Sequence, residues 1–203
     1  MPQPRLAAAF AALAVTLAPL AGHAAPSDPA AEQIEAFDAS LLGVMRQAKT
    51  LTPARRAERF EPVITRTFDL PAMTRFAVGP SWTSLSAADR AALTEAFSRM
   101  TVATYAHNFD GYSGERITVD SVDTRGPDKL VHTRIVTPGK APVSLVYRMR
   151  LAEGKWKVID VYYNGAISSL TGQRSEFAAT LSSGGAAALT KKLKAQAETL
   201  LKR

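Results

Sequence analysis

The spacing of apolar residues changes along this chain from a helical period to a strand period and then back again. Before Gly111, apolar side chains recur every three or four residues, which is typical of amphipathic helices. From Ile117 to Tyr163 the pattern is that of four short strands separated by turn signals, and helical spacing resumes after Asn164–Gly165. Successive strands with short turns pair as antiparallel neighbours. We therefore expect an α+β fold, with a four-stranded antiparallel meander packed against several helices.

Local signals mark where the helices begin and break. Thr52–Pro53 and Asp69 are typical helix starts, and Ser86 with Asp89 resembles a capping box. Gly184–Gly185 interrupts the last apolar stripe, so two helices are expected after the meander.

Residues 1–24 look like a secretory signal peptide, and residues 25–203 are expected to form one domain. Arg5 precedes an apolar run from Leu6 to Leu20, and Gly22 and Ala24 fit a cleavage site after Ala24. That run is shorter than the roughly 20 residues of a membrane-spanning helix, which favours cleavage over a membrane anchor. The chain contains no cysteine, so its core must suffice without disulfides. We expect export to a bacterial periplasm.

The formal net charge of +7 does not indicate a nucleic-acid partner. Lysine and arginine residues are dispersed, without interleaved aromatic residues or a recognisable nucleic-acid-binding module. The densest cluster, Lys191, Lys192 and Lys194, is more simply the solvated face of a helix. Attraction to anionic membrane or protein surfaces stays open.

Residues for metal binding or nucleophilic catalysis are sparse. His107 and His132 have no second histidine or cysteine at ligand spacing, so we expect no metal and no other cofactor. The segment from Gly111 to Glu115 lacks both the final glycine and the preceding strand of a serine-hydrolase elbow. The sequence therefore does not predict an enzyme.

Asp160 is the one carboxylate expected within a mostly apolar strand, and it has two interpretations. It could be the general base of a small α+β enzyme, acting with Tyr105 or Tyr147 in a hydrophobic pocket. Alternatively it accepts hydrogen bonds from Arg174 or from neighbouring backbone, because a buried charge must be paired. The structural role is favoured, and the enzyme is the alternative function.

The chain supplies more apolar surface than catalytic chemistry. Amphipathic helices flank a sheet whose third strand has an unbroken apolar face, and methionines among these residues adapt easily to an irregular lining. This combination favours a binder of an apolar ligand. A scaffold with a solid core is the third possibility.

Several segments, in this order, resemble the MlaC family, also called the toluene-tolerance auxiliary family. The resemblance covers about residues 32–195. The matching segments are Phe68 to Gly79 followed by Trp82, Leu85 to Tyr105, Tyr147 to Arg150, Trp156 to Val161 and Gln173 to Phe177. The stretch from Tyr162 to Leu170, together with Asn108 to Tyr112, is more similar to the hopanoid-associated branch called HpnM.

The resemblance implies a periplasmic lipid carrier that serves an ABC-type transport system between two membranes. It implies a phospholipid or hopanoid cargo held between the sheet and the helices, membrane-bound transport components as partners, and a monomer. On this basis we expect the lipid to contact apolar side chains on the helices and the inner sheet face. They are Met73, Phe76, Phe97, Met100, Tyr105, Val131, Ile135, Leu145, Tyr147, Met149, Val158 and Ile167.

Overall fold

The computed structural model of the protein describes residues 28–165 and 167–202. The expected signal peptide, its cleavage after Ala24 and the start of the domain at residue 25 lie outside these ranges and stay predictions. No helix in the two described ranges is both long enough and apolar enough to cross a membrane.

In the described part of the chain, four α-helices precede a sheet of five strands and a fifth helix follows it. The helices are α1 (Pro29–Gln47), α2 (Pro53–Thr67), α3 (Leu70–Val78), α4 (Ala87–Asn108) and α5 (Ser169–Lys202), with short 3₁₀ turns at Ala48–Thr50 and Gly79–Ser84. The strands are β1 (Arg116–Arg125), β2 (Asp128–Val136), β3 (Val143–Ala152), β4 (Lys155–Tyr163) and β5 (Ile167–Ser168).

Side-chain caps fix the starts of the first four helices. Asp28 accepts a hydrogen bond from the N–H of Ala30 at 2.9 Å in α1. Thr52, Asp69 and Ser86 each accept one from a backbone N–H three residues later, in α2, α3 and α4. Each bond satisfies one of the backbone donors that a helix leaves unpaired at its first turn. The three caps expected from the sequence are confirmed.

The sheet is antiparallel throughout, in the order β1-β2-β3-β4-β5. The α+β class and the meander are confirmed, but the expected number of four strands is wrong. Ile167 and Ser168 form a fifth strand that pairs with Tyr163 and Tyr162. This strand is only two residues long, so no alternation of polar and apolar residues could reveal it, and Ile167 reads as part of the helical stripe that follows.

One end of the inner sheet face is packed against α1. Phe37 of α1 is buried, and its ring centroid lies 5.4 Å from that of Phe68, 5.8 Å from that of Tyr105 and 6.0 Å from that of Tyr147. Each ring of this size contributes about 1.5–3 kcal/mol when it is removed from water. This aromatic cluster fills the core at that end of the sheet.

Helix α5 contains a break at Gly185, where φ is 66° and ψ is −165°. This backbone conformation is accessible in practice to glycine alone. Two helical segments therefore meet at Gly185, as the sequence predicts. Ala186, Leu189, Leu193 and Ala197 of the second segment are buried, in a helix that packs extensively on α4.

Candidate functional site

An apolar cavity of about 350 Å³ lies between the inner face of the sheet and the helices. Its sheet wall consists of Ile135, Val143, Leu145, Val161 and Tyr163. The opposite wall is formed by one face of α4, with contributions from α3 and the start of α5. These residues are Phe68, Met73, Phe97, Met100, Thr101, Thr104, Tyr105, Asn108, Phe109, Ser169, Leu170 and Gln173.

The strand register explains the sheet wall. Ile135 pairs with Val143, and Leu145 pairs with Tyr163, so these four side chains lie side by side on the inner face. Tyr163 is 49% exposed and Asn108 is also exposed, so the cavity reaches solvent at the end where these two residues lie. A ligand could enter there without unfolding the core.

Half of the residues expected to contact a lipid lie on this cavity. They are Met73, Phe97, Met100, Tyr105, Ile135 and Leu145. Four others, Val131, Tyr147, Met149 and Val158, are 0–1% exposed and belong to the solid core. Phe76 is 44% exposed and Ile167 is 66% exposed, and neither lines the cavity.

Packing contacts explain why the other predicted residues do not line the cavity. Val131 and Tyr147 are cross-strand partners, and Phe37 of α1 packs on the Tyr147 ring. Met149 follows a register shift in β3 and pairs with Val158, where Phe68 forms a bridge. Phe76 lies beneath the guanidinium of Arg174, which is 5.7 Å from its ring centroid.

Several cavity residues escaped the sequence prediction. The apolar ones are Phe68, Phe109, Val143, Val161, Tyr163 and Leu170, and the polar ones are Thr101, Thr104, Asn108, Ser169 and Gln173. A usable signal existed on α4, because Phe97, Thr101, Thr104 and Asn108 are spaced by four, three and four residues and share one helical face. An apolar stripe does not include the polar residues of that face, which is why the sequence prediction omits them.

Asp160 is buried and anchors the junction between β4, β5 and α5. Its carboxylate accepts hydrogen bonds from the N–H of Val161 at 2.8 Å, the hydroxyl of Ser168 at 2.6 Å and the N–H of Leu170 at 3.3 Å. The expected pairing with Arg174 is wrong, because that side chain lies on Phe76 and Gly79 instead. The pairing with neighbouring backbone is confirmed. A carboxylate held this way stabilises the start of α5.

Asp38 on α1 is a second buried carboxyl group, 4% exposed, and its Oδ1 has no hydrogen-bond partner in the described chain. Burial, together with the nearby Glu35, raises the pKa of Asp38 to about 7. Burial also raises the pKa of Tyr105 and of Tyr147, and the charge of Asp38 contributes to both. Tyr105 and Tyr147 belong to the aromatic cluster, and of the three groups only Tyr105 lines the cavity.

Within the described residues no group of three or more His, Asp or Glu side chains could hold a metal ion. His132 lies on the outer part of the sheet, where its Nε2 is 3.0 Å from a carboxylate oxygen of Asp123. This pair is surface-exposed and lies outside the cavity.

An open groove of about 500 Å³ between α4 and α5 adjoins the cavity. Met100, Thr104 and Gln173 border both spaces. On its outer side the groove has charged residues, including an ion pair of 2.7 Å between Lys192 and Glu176. The cavity is therefore apolar towards the sheet and becomes polar towards the groove.

The chain matches the family model described as MlaC protein over residues 35–195, well over half of its length. Among solved structures, it is similar to a phospholipid-binding protein from Ralstonia solanacearum determined in complex with a phospholipid. The TM-score is 0.76 and the identity 18%, and the match covers 85% of this chain and 99% of that one. At this identity the likeness establishes the fold alone. No curated protein matches the chain.

Proposed function

The chain belongs to the MlaC family, and on that premise we propose that it is a periplasmic lipid-binding shuttle. The observation that supports this most directly is the apolar cavity between sheet and helices, open at Tyr163 and Asn108. The Ralstonia solanacearum protein of similar fold also supports a lipid ligand, since its structure was determined in complex with a phospholipid.

Burial of apolar surface is the physical basis of binding. Each methylene group that moves from water into the cavity contributes about 0.8 kcal/mol, so one alkyl chain can supply most of the affinity. A cavity of about 350 Å³ is at the lower end of the range for small-molecule pockets, roughly 300–1,000 Å³. The polar part of the lipid therefore lies at or beyond the opening.

The cargo in this proposal is a phospholipid or a hopanoid. The structural neighbour favours phospholipid, whereas the segments similar to the HpnM branch favour hopanoid. The shuttle is a monomer without a cofactor, exported by cleavage after Ala24, and it exchanges lipid with membrane-bound components of an ABC-type system. It performs no chemistry on the cargo.

Leu145→Trp tests the location of the cargo. Leu145 lines the cavity, so the larger side chain fills space that the lipid needs, and we expect at least a tenfold loss of lipid affinity in a folded protein. The matched control is Ser144→Trp, because Ser144 is the exposed neighbour on the opposite face of β3. Affinity is measured by displacement of a fluorescent fatty acid, and folding by circular dichroism.

Met149→Trp tests whether Met149 belongs to the solid core and not to the cavity wall. Met149 is 0% exposed and does not line the cavity, so a tryptophan there overpacks the core at a cost of about 1–3 kcal/mol or more. A melting temperature unchanged in Met149→Trp but lowered in Leu145→Trp would contradict the assignment.

A further inference from the structure

Polar side chains form a stripe inside the otherwise apolar cavity. Thr101, Thr104 and Asn108 lie on one face of α4 and line the cavity. Gln173 of α5, like Thr104, borders both the cavity and the groove. From Thr101 to Asn108 the stripe extends about 10 Å along the helix axis, given a rise of about 1.5 Å per residue. Asn108 is exposed at the opening, while the other three are half-buried.

The hydrogen-bonding groups of this stripe are not used up within the protein. Thr104 donates its hydroxyl to the carbonyl of Met100 at 2.8 Å, which leaves its oxygen free to accept. In the described residues, the Thr101 hydroxyl and the Gln173 amide make no hydrogen bond, and Oε1 of Gln173 is fully buried. Buried polar atoms without a partner are uncommon and costly in native proteins.

A group that suits the buried end of this amide in either orientation of its oxygen and nitrogen must both donate and accept a hydrogen bond. An ester carbonyl or a phosphate oxygen only accepts, and an alkyl chain does neither. A hydroxyl group both donates and accepts, so it matches the Gln173 amide in either orientation of its oxygen and nitrogen, and it also matches the two threonine hydroxyls.

We infer that the cavity selects lipids that carry a hydroxyl group within their hydrophobic body, and that Gln173, with Thr101, determines this specificity. The inference rests on the proposed function, because it assumes that the cavity holds lipid. The hydroxyl lies about one stripe length below the opening, between α4 and α5. A head-group hydroxyl at the opening meets Asn108 and solvent instead and is not distinguished.

A pair of matched fatty acids tests this inference. The probes are octadecanoic acid and 12-hydroxyoctadecanoic acid, which differ by one mid-chain hydroxyl, with 2-hydroxyoctadecanoic acid as the head-proximal control. For the wild-type protein we expect the mid-chain hydroxyl to increase affinity about five- to tenfold, which is the value of one well-formed hydrogen bond. The head-proximal hydroxyl is expected to change affinity less than twofold.

The variant Gln173→Leu keeps the approximate size of the side chain but removes the amide, so the preference for the mid-chain hydroxyl is expected to disappear. Gln47→Leu is the matched control, since Gln47 is an exposed residue of α1 that does not line the cavity. If Gln173→Leu does not fold, Thr101→Val provides the second test and is expected to reduce the preference at least twofold.

The outcomes separate the two proposals. If wild-type protein binds none of the fatty acids and also takes up no lipid from phospholipid or hopanoid-containing vesicles, the carrier proposal fails and the inference fails with it. If it takes up lipid from these vesicles but binds none of the fatty acids, the inference is wrong while the carrier proposal stands. If the wild type binds octadecanoic acid and the mid-chain hydroxylated acid equally, or if the preference survives in Gln173→Leu and in Thr101→Val, the inference is wrong while the carrier proposal stands.

Discussion

At the scale of single residues, Asp38 shows how strongly burial can act on one group. Its carboxyl is buried beside Glu35, Tyr105 and Tyr147, and no cation is paired with it in the described chain. Ionising it there means placing an uncompensated charge in the core. Asp128 is the contrasting case. Burial acts to raise its pKa, but hydrogen bonds from Arg150 and Arg148 hold that pKa below its usual value.

Asp38 therefore makes the stability of the protein depend on pH. Its pKa rises from 3.8 in an unfolded chain to about 7 in the folded protein, so the folded state binds more protons between these values. The stability it contributes is fully present below pH 3.8 and is lost as the pH rises towards 7. Asp128 acts in the opposite direction but only below the usual carboxyl pKa, so it does not cancel this effect.

We expect Asp38→Asn to remove this loss and to stabilise the protein at pH 8, with an upper bound of about 4 kcal/mol. Urea unfolding at pH 5 and pH 8 measures the change, and Asp110→Asn, at an exposed position, is the control. An Asn variant that is less stable than wild type at pH 8 would show that Asp38 has a cationic partner.

Asp160→Asn distinguishes structural support from catalysis. Three donors converge on this carboxylate, so the amide loses charge-assisted bonds and we expect a destabilisation of about 1–3 kcal/mol. Lipid binding should persist in the folded protein, because Asp160 does not line the cavity. The checks are a melting curve, a lipid-release assay and mass spectrometry of the bound lipid. Lipid altered by the wild type but not by Asp160→Asn would establish an enzyme.

At the scale of elements, helix α5 has three glycines, and two of them, Gly184 and Gly185, form its break with different requirements. Gly185 has a positive φ of 66°, whereas a Cβ at Gly184 would lie 2.6 Å from the Cβ of Ala188. Gly172, one and a half turns before Phe177 in the first segment, has open space around it. The break thus depends on backbone conformation at one position and on close packing at the other.

Replacing Gly185 or Gly172 with alanine should change the stability in opposite directions. We expect Gly185→Ala to cost about 1–3 kcal/mol, because alanine adopts this conformation only under strain. Gly172→Ala should be neutral or should stabilise the helix by about 0.5–1 kcal/mol, because alanine favours helix. Chemical denaturation provides both values. Equal effects at the two positions would mean that the break is not required for the fold.

The elements themselves were largely predictable, because their signals are local. N-caps at Thr52, Asp69 and Ser86 involve residues three positions apart, and strand alternation involves neighbours two apart. Strand β5 was not predictable, because it is a two-residue pairing that depends on the hairpin after Tyr163 and on Asp160 holding Ser168.

At the scale of the whole molecule, the position of the cavity depends on contacts that periodicity does not contain. Val131 and Ile135 are four residues apart on the same face of β2, yet Val131 is fully buried in the core and Ile135 lines the cavity. The difference arises because α1 covers one end of the sheet through Phe37 and leaves the other end to α4 and α5. No local pattern in the sequence of β2 specifies which part of the strand packs against α1.

The central claim is that the folded protein holds lipid in the cavity bordered by Leu145. Native mass spectrometry of the protein isolated from a periplasm tests it most directly, with Leu145→Trp and Ser144→Trp measured in parallel. We predict a lipid-bound mass for wild type and Ser144→Trp, the lipid being identified by extraction as phospholipid or hopanoid, and a bare mass for folded Leu145→Trp. A bare wild-type mass that persists after incubation with phospholipid vesicles and with hopanoid-containing vesicles would contradict the claim.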